Sequence, residues 1–207
     1  VTLDTLLTFI AASVLLSLAP GPDNIFVLMQ SAMHGRRAGL FITLGLCTGL
    51  IVHTSLVALG VAALLVVSTV AFTILKLVGA AYLVYLAVLS WRAPASAVDG
   101  SSAPPLSLRQ YYLRGIVMNI TNPKIAIFFL AFLPQFAHPE AGSMTSQLLV
   151  LGGLFIISAW LVFSLIAVLA GWLAGALARS AQAQIRLNRL AALVFFGLAA
   201  RLALSSR

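Results

Sequence analysis

Ala19, Pro20, Gly21, Pro22, Asp23 and Asn24 interrupt a stretch that is otherwise apolar from Leu3 to His34. Two prolines in three residues remove backbone donors, and their rings collide with the preceding turn, so no regular helix runs through them. The surroundings make this break unusual. The chain is 62% hydrophobic and 8% charged, with a mean hydropathy of +1.11, whereas charged residues make up about 25% of soluble domains. Such a composition is that of a polytopic membrane protein. A break at membrane depth survives only where it is buried in protein or lines a cavity, so Pro20, Gly21, Pro22, Asp23 and Asn24 form a candidate binding site.

Outward from the break, spans of about 20 apolar residues recur near Leu3 to His34, Ala38 to Val66, Thr69 to Trp91, Leu108 to Phe136, Thr145 to Leu177 and Arg186 to Leu204. The expected fold is therefore all-α and integral to the membrane, with six transmembrane helices. The first span has Asp4 where a signal peptide has basic residues, and it continues past the break, so it is read as a mature helix. Arg36, Arg37, Arg92, Arg109, Arg114, Arg179, Arg186 and Arg189 fall on one side of this layout, against Arg201 and Arg207 on the other. By the positive-inside rule, both termini are expected outside the cytoplasm. Basic residues scattered in this way serve orientation, not nucleic-acid binding.

Pro94, Asp99, Gly100, Pro104 and Pro105 mark residues 92–107 as a cytoplasmic linker. It divides a single transmembrane domain, 1–207, into three-span halves, 1–91 and 108–207. An odd number of spans per half puts the halves in opposite orientations, the pattern of inverted-repeat transporters. The fourth span breaks at Asn122 and Pro123 much as the first breaks at Pro22. Lys76 and Tyr82 of the third span can likewise be laid over Arg189 and Phe195 of the sixth.

Each break has roughly a dozen residues or more on either side, about 18 Å of helix or more, which places helices 1 and 4 as broken near mid-membrane. In each, a half-helix restarts at proline with the positive end of its dipole at the break. Asn122, Pro123 and Lys124 thus join the candidate substrate-binding residues. Lys124 is a cation at the wrong end of a dipole and calls for a compensating anion, for which Asp23 is the expected partner. A zwitterion could replace that pair, its carboxylate on Lys124 and its ammonium on Asp23. Asp23 and Lys76 are candidates for proton coupling, although Lys76 could equally snorkel to the interface.

Other polar positions carry less. His53 is read as a packed polar residue before a proton relay, and Asn119 and Thr121 as caps or hydrogen-bonding groups at an unwound segment. Gly45 with Gly49, and Gly171 with Gly175, form GxxxG patterns whose first meaning is close packing within the fold, with a homodimer as the second. Cys47 alone excludes disulfide and thiol-pair chemistry. An enzyme would need a nucleophile with its base, a carboxylate dyad or a metal cluster, and His34, His53 and His138 lie in separate segments. A cation or metal-ion carrier of similar architecture is the alternative reading, but it would call for more acidic or thiolate ligands than Asp23 supplies. No metal or cofactor is expected.

The run from Ala19 to Asn24, Lys76 with Gly79 to Leu83, Asn122 to Lys124 with Phe128 and Phe129, and Leu133 to Phe136 resemble the LysE/RhtB amino-acid exporters over essentially the whole length. The resemblance implies a secondary transporter in the bacterial inner membrane. It would export amino acids or close derivatives, of the homoserine, threonine, lysine or leucine type, by proton antiport.

Overall fold

The computed structural model describes residues 3–61, 69–94 and 104–204. Helix dominates, and no strand occurs among the described residues. The first expected span is two helices, α1 (Leu3–Leu18) and α2 (Pro22–His34), bent by 60° at the break. α2 restarts with Pro22 in its first turn, where the missing amide costs nothing, after Gly21 in extended backbone. Gly35 alone joins α2 to α3 (Arg36–Leu56). Its φ of 85° is left-handed, which glycine adopts without strain. A π-helical turn, Val57–Val61, extends α3, and α4 spans Thr69–Arg92. The far end of the second expected span and residues 95–103 of the expected linker lie outside the described residues.

The second half opens with α5 (Leu108–Ile120), started by a capping box. Ser107 Oγ accepts from the Gln110 amide at 3.3 Å, and Gln110 Oε1 accepts from the Ser107 amide at 2.8 Å. Ser107→Ala is expected to cost about 1 kcal/mol, read as a lower thermal unfolding midpoint in detergent. α5 stops at the second break, and the chain turns by 50° into α6 (Pro123–Ile127). The helix then widens into a π turn at Phe128–Phe132 and tightens into a 3-10 turn at Leu133–Phe136. Pro134 accounts for the irregularity, since it has no amide and its ring would meet the Leu130 carbonyl in a regular helix.

α7 (Met144–Arg179) and α8 (Ala181–Leu204) follow. α8 begins at Ala181 instead of the expected Arg186. Ser180 starts it, its Oγ accepting from the Ala183 amide at 3.1 Å, and the first turn is too polar to register as an apolar span. Four helices are long and apolar enough to cross a membrane, and the two bent pairs raise the number to six.

α3 lies along α5, α1 and α2 lie on α7, and α4 lies along α8. The α3–α5 crossing brings backbone against backbone. A Cβ on Gly45 would strike the Tyr112 carbonyl, and one on Gly115 the Ile42 carbonyl. The pattern at Gly45 and Gly49 is therefore used inside the fold. A Cβ at Gly171, by contrast, would meet nothing within 4 Å. Phe9, Phe128, Phe129, Phe132, Phe136 and Phe155 form an aromatic core, with ring centroids 4.8 to 6.1 Å apart along its contacts.

Candidate functional site

Asn122 ties the two breaks together. As the N-cap of α6, its Oδ1 accepts from the Lys124 amide at 3.0 Å. Its Nδ2 donates to Asp23 Oδ2, across from α2, at 2.9 Å. Its carbonyl accepts from the amides of Ile125 and Ala126, both at 3.1 Å. One residue thus satisfies the first turn of α6 and holds the carboxylate that opens α2. Asn122→Ala is expected to lose about 1.5–3 kcal/mol for the charge-assisted bond alone. That should depress the unfolding midpoint more than Asn188→Ala, which loses a 3.4 Å bond to the Ala93 carbonyl.

Asp23 is 1% exposed, and its Oδ1 is buried without a hydrogen-bond partner among the described residues. Lys124 is 6% exposed, and its ammonium donates to the Ala19 carbonyl at 3.1 Å and the Leu16 carbonyl at 3.5 Å. Lys124 thus makes its hydrogen bonds to backbone and not to Asp23, while the expected partnership of the two charges persists through space. The reason lies in the break, which frees the last carbonyls of α1 as well as the first amides of α2. A cation disfavoured at the start of α6 is favoured at the negative end of α1. Asn24 uses the same resource, its Nδ2 donating to the Ser17 carbonyl at 2.6 Å. Among the described residues no side chain caps α2, and since Pro22 has no amide, the first-turn amides there are those of Asp23 and Asn24.

A cavity of about 440 Å³ lies against the breaks. Pro20, Gly21, Pro22, Asn122, Pro123 and Lys124 line it, whereas Asp23 and Asn24 sit behind its wall. Gly21 leaves room for the ammonium, since a Cβ there would lie 3.1 Å from Lys124 Nζ. Lys76 is buried within the fold and does not line the cavity. The opposite wall comes from Tyr82, Leu86 and Leu89 of α4 and Phe195 of α8. Their signal in the sequence was partial. Tyr82 and Phe195 occupy matching places in the two halves, but a helical stripe of Tyr82, Leu86 and Leu89 reads the same whether it faces a cavity, a helix or lipid.

His53 reaches the second break from α3. Its Nε2 lies 3.2 Å from the Asn119 carbonyl, which also accepts from the Asn122 amide at 3.0 Å. Among the described residues, no group of three His, Cys, Asp or Glu side chains is placed to hold a metal ion.

The model of the LysE type translocator family matches residues 14–206. The chain is similar to a Salmonella typhi protein named homoserine/homoserine lactone efflux protein, at 41% identity over 70% of this chain and 69% of that protein. It is 30% identical to a Klebsiella pneumoniae protein named leucine efflux protein, over 95% of this chain and 93% of that one. A Vibrio cholerae protein named only as an uncharacterized membrane protein is 34% identical over 92% of each chain. No solved structure matches the chain. Six helical spans, two of them broken, and a family match reaching nearly from end to end agree that the chain belongs to the LysE type translocators.

Proposed function

We propose that the protein exports amino acids or close derivatives across a bacterial inner membrane in exchange for protons. The observation that carries this reading is the cavity at the two breaks, with the Lys124 ammonium in its wall beside the uncapped start of α2. A buried cation at the positive end of a broken helix suits a carboxylate. The cavity volume falls within the range of about 300–1,000 Å³ usual for small-molecule sites, and the relatives' names concern efflux of homoserine, homoserine lactone and leucine.

The direction of access fits export. The cavity extends toward Ser90, Ala93 and Asn188, the end that carries Arg92, Arg186 and Arg189. By the positive-inside rule this end is cytoplasmic and both termini are periplasmic. Toward the other end, Phe9 packs edge-on against Phe136 at 5.0 Å, and the Arg201 guanidinium lies over the Phe136 ring at 4.5 Å. Substrate therefore loads from the cytoplasm, and the aromatic core must part for release.

Alternating access follows from rocking of the halves 1–91 and 108–207 around spans one and four. The packing supports an inverted repeat, because the first span lies on the fifth as the second lies on the fourth. Asp23 is the proton carrier, buried with one oxygen unpartnered and linked through Asn122 to the helix that bears Lys124. Lys76, buried in α4, is the second coupling residue.

Proteoliposomes loaded with leucine or homoserine test this reading. An imposed proton gradient should accelerate efflux, and Asp23→Asn should retain leucine-for-leucine exchange while losing the response to the gradient. Absence of flux for every amino acid tried would remove the reading. A gradient response intact in Asp23→Asn would remove only its coupling role.

A further inference from the structure

The wall of the cavity carries charge of one sign. Among the described residues, which leave out Asp99, Lys124 is the charged side chain in it and no carboxylate lines it. Asp23, the nearest acid in sequence to the break, is 1% exposed, stands outside the wall and already accepts from Asn122 at 2.9 Å. Glu140 lies beside His138 at 3.6 Å, in the connection before α7, and Asp4 lies in the first turn of α1. Carbonyls at the end of α1 already serve the protein's own donors, Ala19 and Leu16 accepting from Lys124 and Ser17 from Asn24. Around Lys124, whose ammonium lies 5.9 Å from the Phe195 ring centroid, Ile25, Tyr82, Leu86 and Leu89 make the wall mainly aliphatic and aromatic, and Ser90 and Asn188 are its neutral polar members beyond the breaks.

Such a surface treats the two ends of an amino acid differently. A carboxylate gains a charge-assisted bond from an ammonium that has three donors and two acceptors already in place. A zwitterion brings its own carboxylate with its ammonium, whereas a cationic side chain adds a charge that no described carboxylate in the wall meets, and burying an unpaired charge is expensive.

We infer that this site recognises a monocarboxylate with an uncharged, apolar tail and does not read the α-amino group. The 2-oxo acid of an aliphatic amino acid occupies it as the amino acid does, and amino acids with cationic side chains are excluded. The inference rests on the cavity being the transport site, and it withdraws Asp23 as the receptor for the substrate ammonium.

The test is displacement of radiolabelled leucine from the wild-type protein in proteoliposomes, which requires no variant. Competitors are 4-methyl-2-oxopentanoate, which lacks the amine, leucinamide, which lacks the carboxylate, and lysine. The oxo acid should compete within about threefold of unlabelled leucine, while leucinamide and lysine should be weaker by about tenfold or more. The inference is overturned if the oxo acid is weaker than leucine by about tenfold, or if leucinamide or lysine competes within about threefold of it. Absence of saturable leucine binding would instead remove the transport reading, and the inference with it.

Discussion

Lys124→Met should reduce leucine efflux from proteoliposomes by about ten- to a hundredfold, the worth of a lost charge-assisted hydrogen bond of about 1.5–3 kcal/mol. Methionine keeps the length and flexibility of the side chain and removes only its charge and donors. The substitution also strands the Ala19 and Leu16 carbonyls, so the unfolding midpoint in detergent must be measured beside the flux. Lys124→Arg separates charge from shape. The compact ammonium reaches the Ala19 and Leu16 carbonyls at the end of α1, and the rigid fork of arginine does not reproduce a compact point charge. Arginine is therefore expected to be impaired as well. Normal export by Lys124→Met would take Lys124 out of the site.

Gly115→Leu is expected to abolish folding altogether. Small-to-large changes in a packed interior cost about 1–3 kcal/mol when neighbours can shift, but here the obstacle is main chain. The Ile42 carbonyl blocks the added carbon directly, and Gly45 Cα stands 3.0 Å from it. Helices α3 and α5 would have to separate along their whole crossing. The expected readout is aggregated protein on size exclusion and no binding of leucine. Gly153→Leu on α7 serves as the control, because a Cβ there would meet nothing within 4 Å and the variant should elute and transport as the parent does. A monodisperse, active Gly115→Leu would show that the α3–α5 crossing is looser than its geometry implies.

The helices and both breaks were legible in the sequence because composition and proline act locally. Apolar runs of membrane-spanning length declare themselves, and Pro22 and Pro123 restart helices wherever the chain places them. The start of α8 was not legible, since its first turn is polar and its signal is the cap at Ser180. Within the site, Asn122, Pro123 and Lys124 stood out because polar residues are costly in an apolar span. Their partners did not. That Lys124 meets carbonyls instead of Asp23 depends on how a 60° bend presents the end of α1, which no residue pattern encodes. The α4 and α8 wall stayed hidden for a different reason, because an apolar side chain looks alike against ligand, lipid and protein.

Cutting a helix makes two ends of opposite polarity, and this chain puts both to use at one point. The trailing end of α1 holds the protein's own cation, and the leading end of α2, which no described side chain caps, carries the positive end of its dipole. The chain has only four acidic residues, and the one nearby, Asp23, acts on Lys124 through space only, while neutral backbone exposed by the break takes the lysine's hydrogen bonds. A variant that repaired the interruption into a continuous helix would keep every charged side chain and still lose the place where those charges rest.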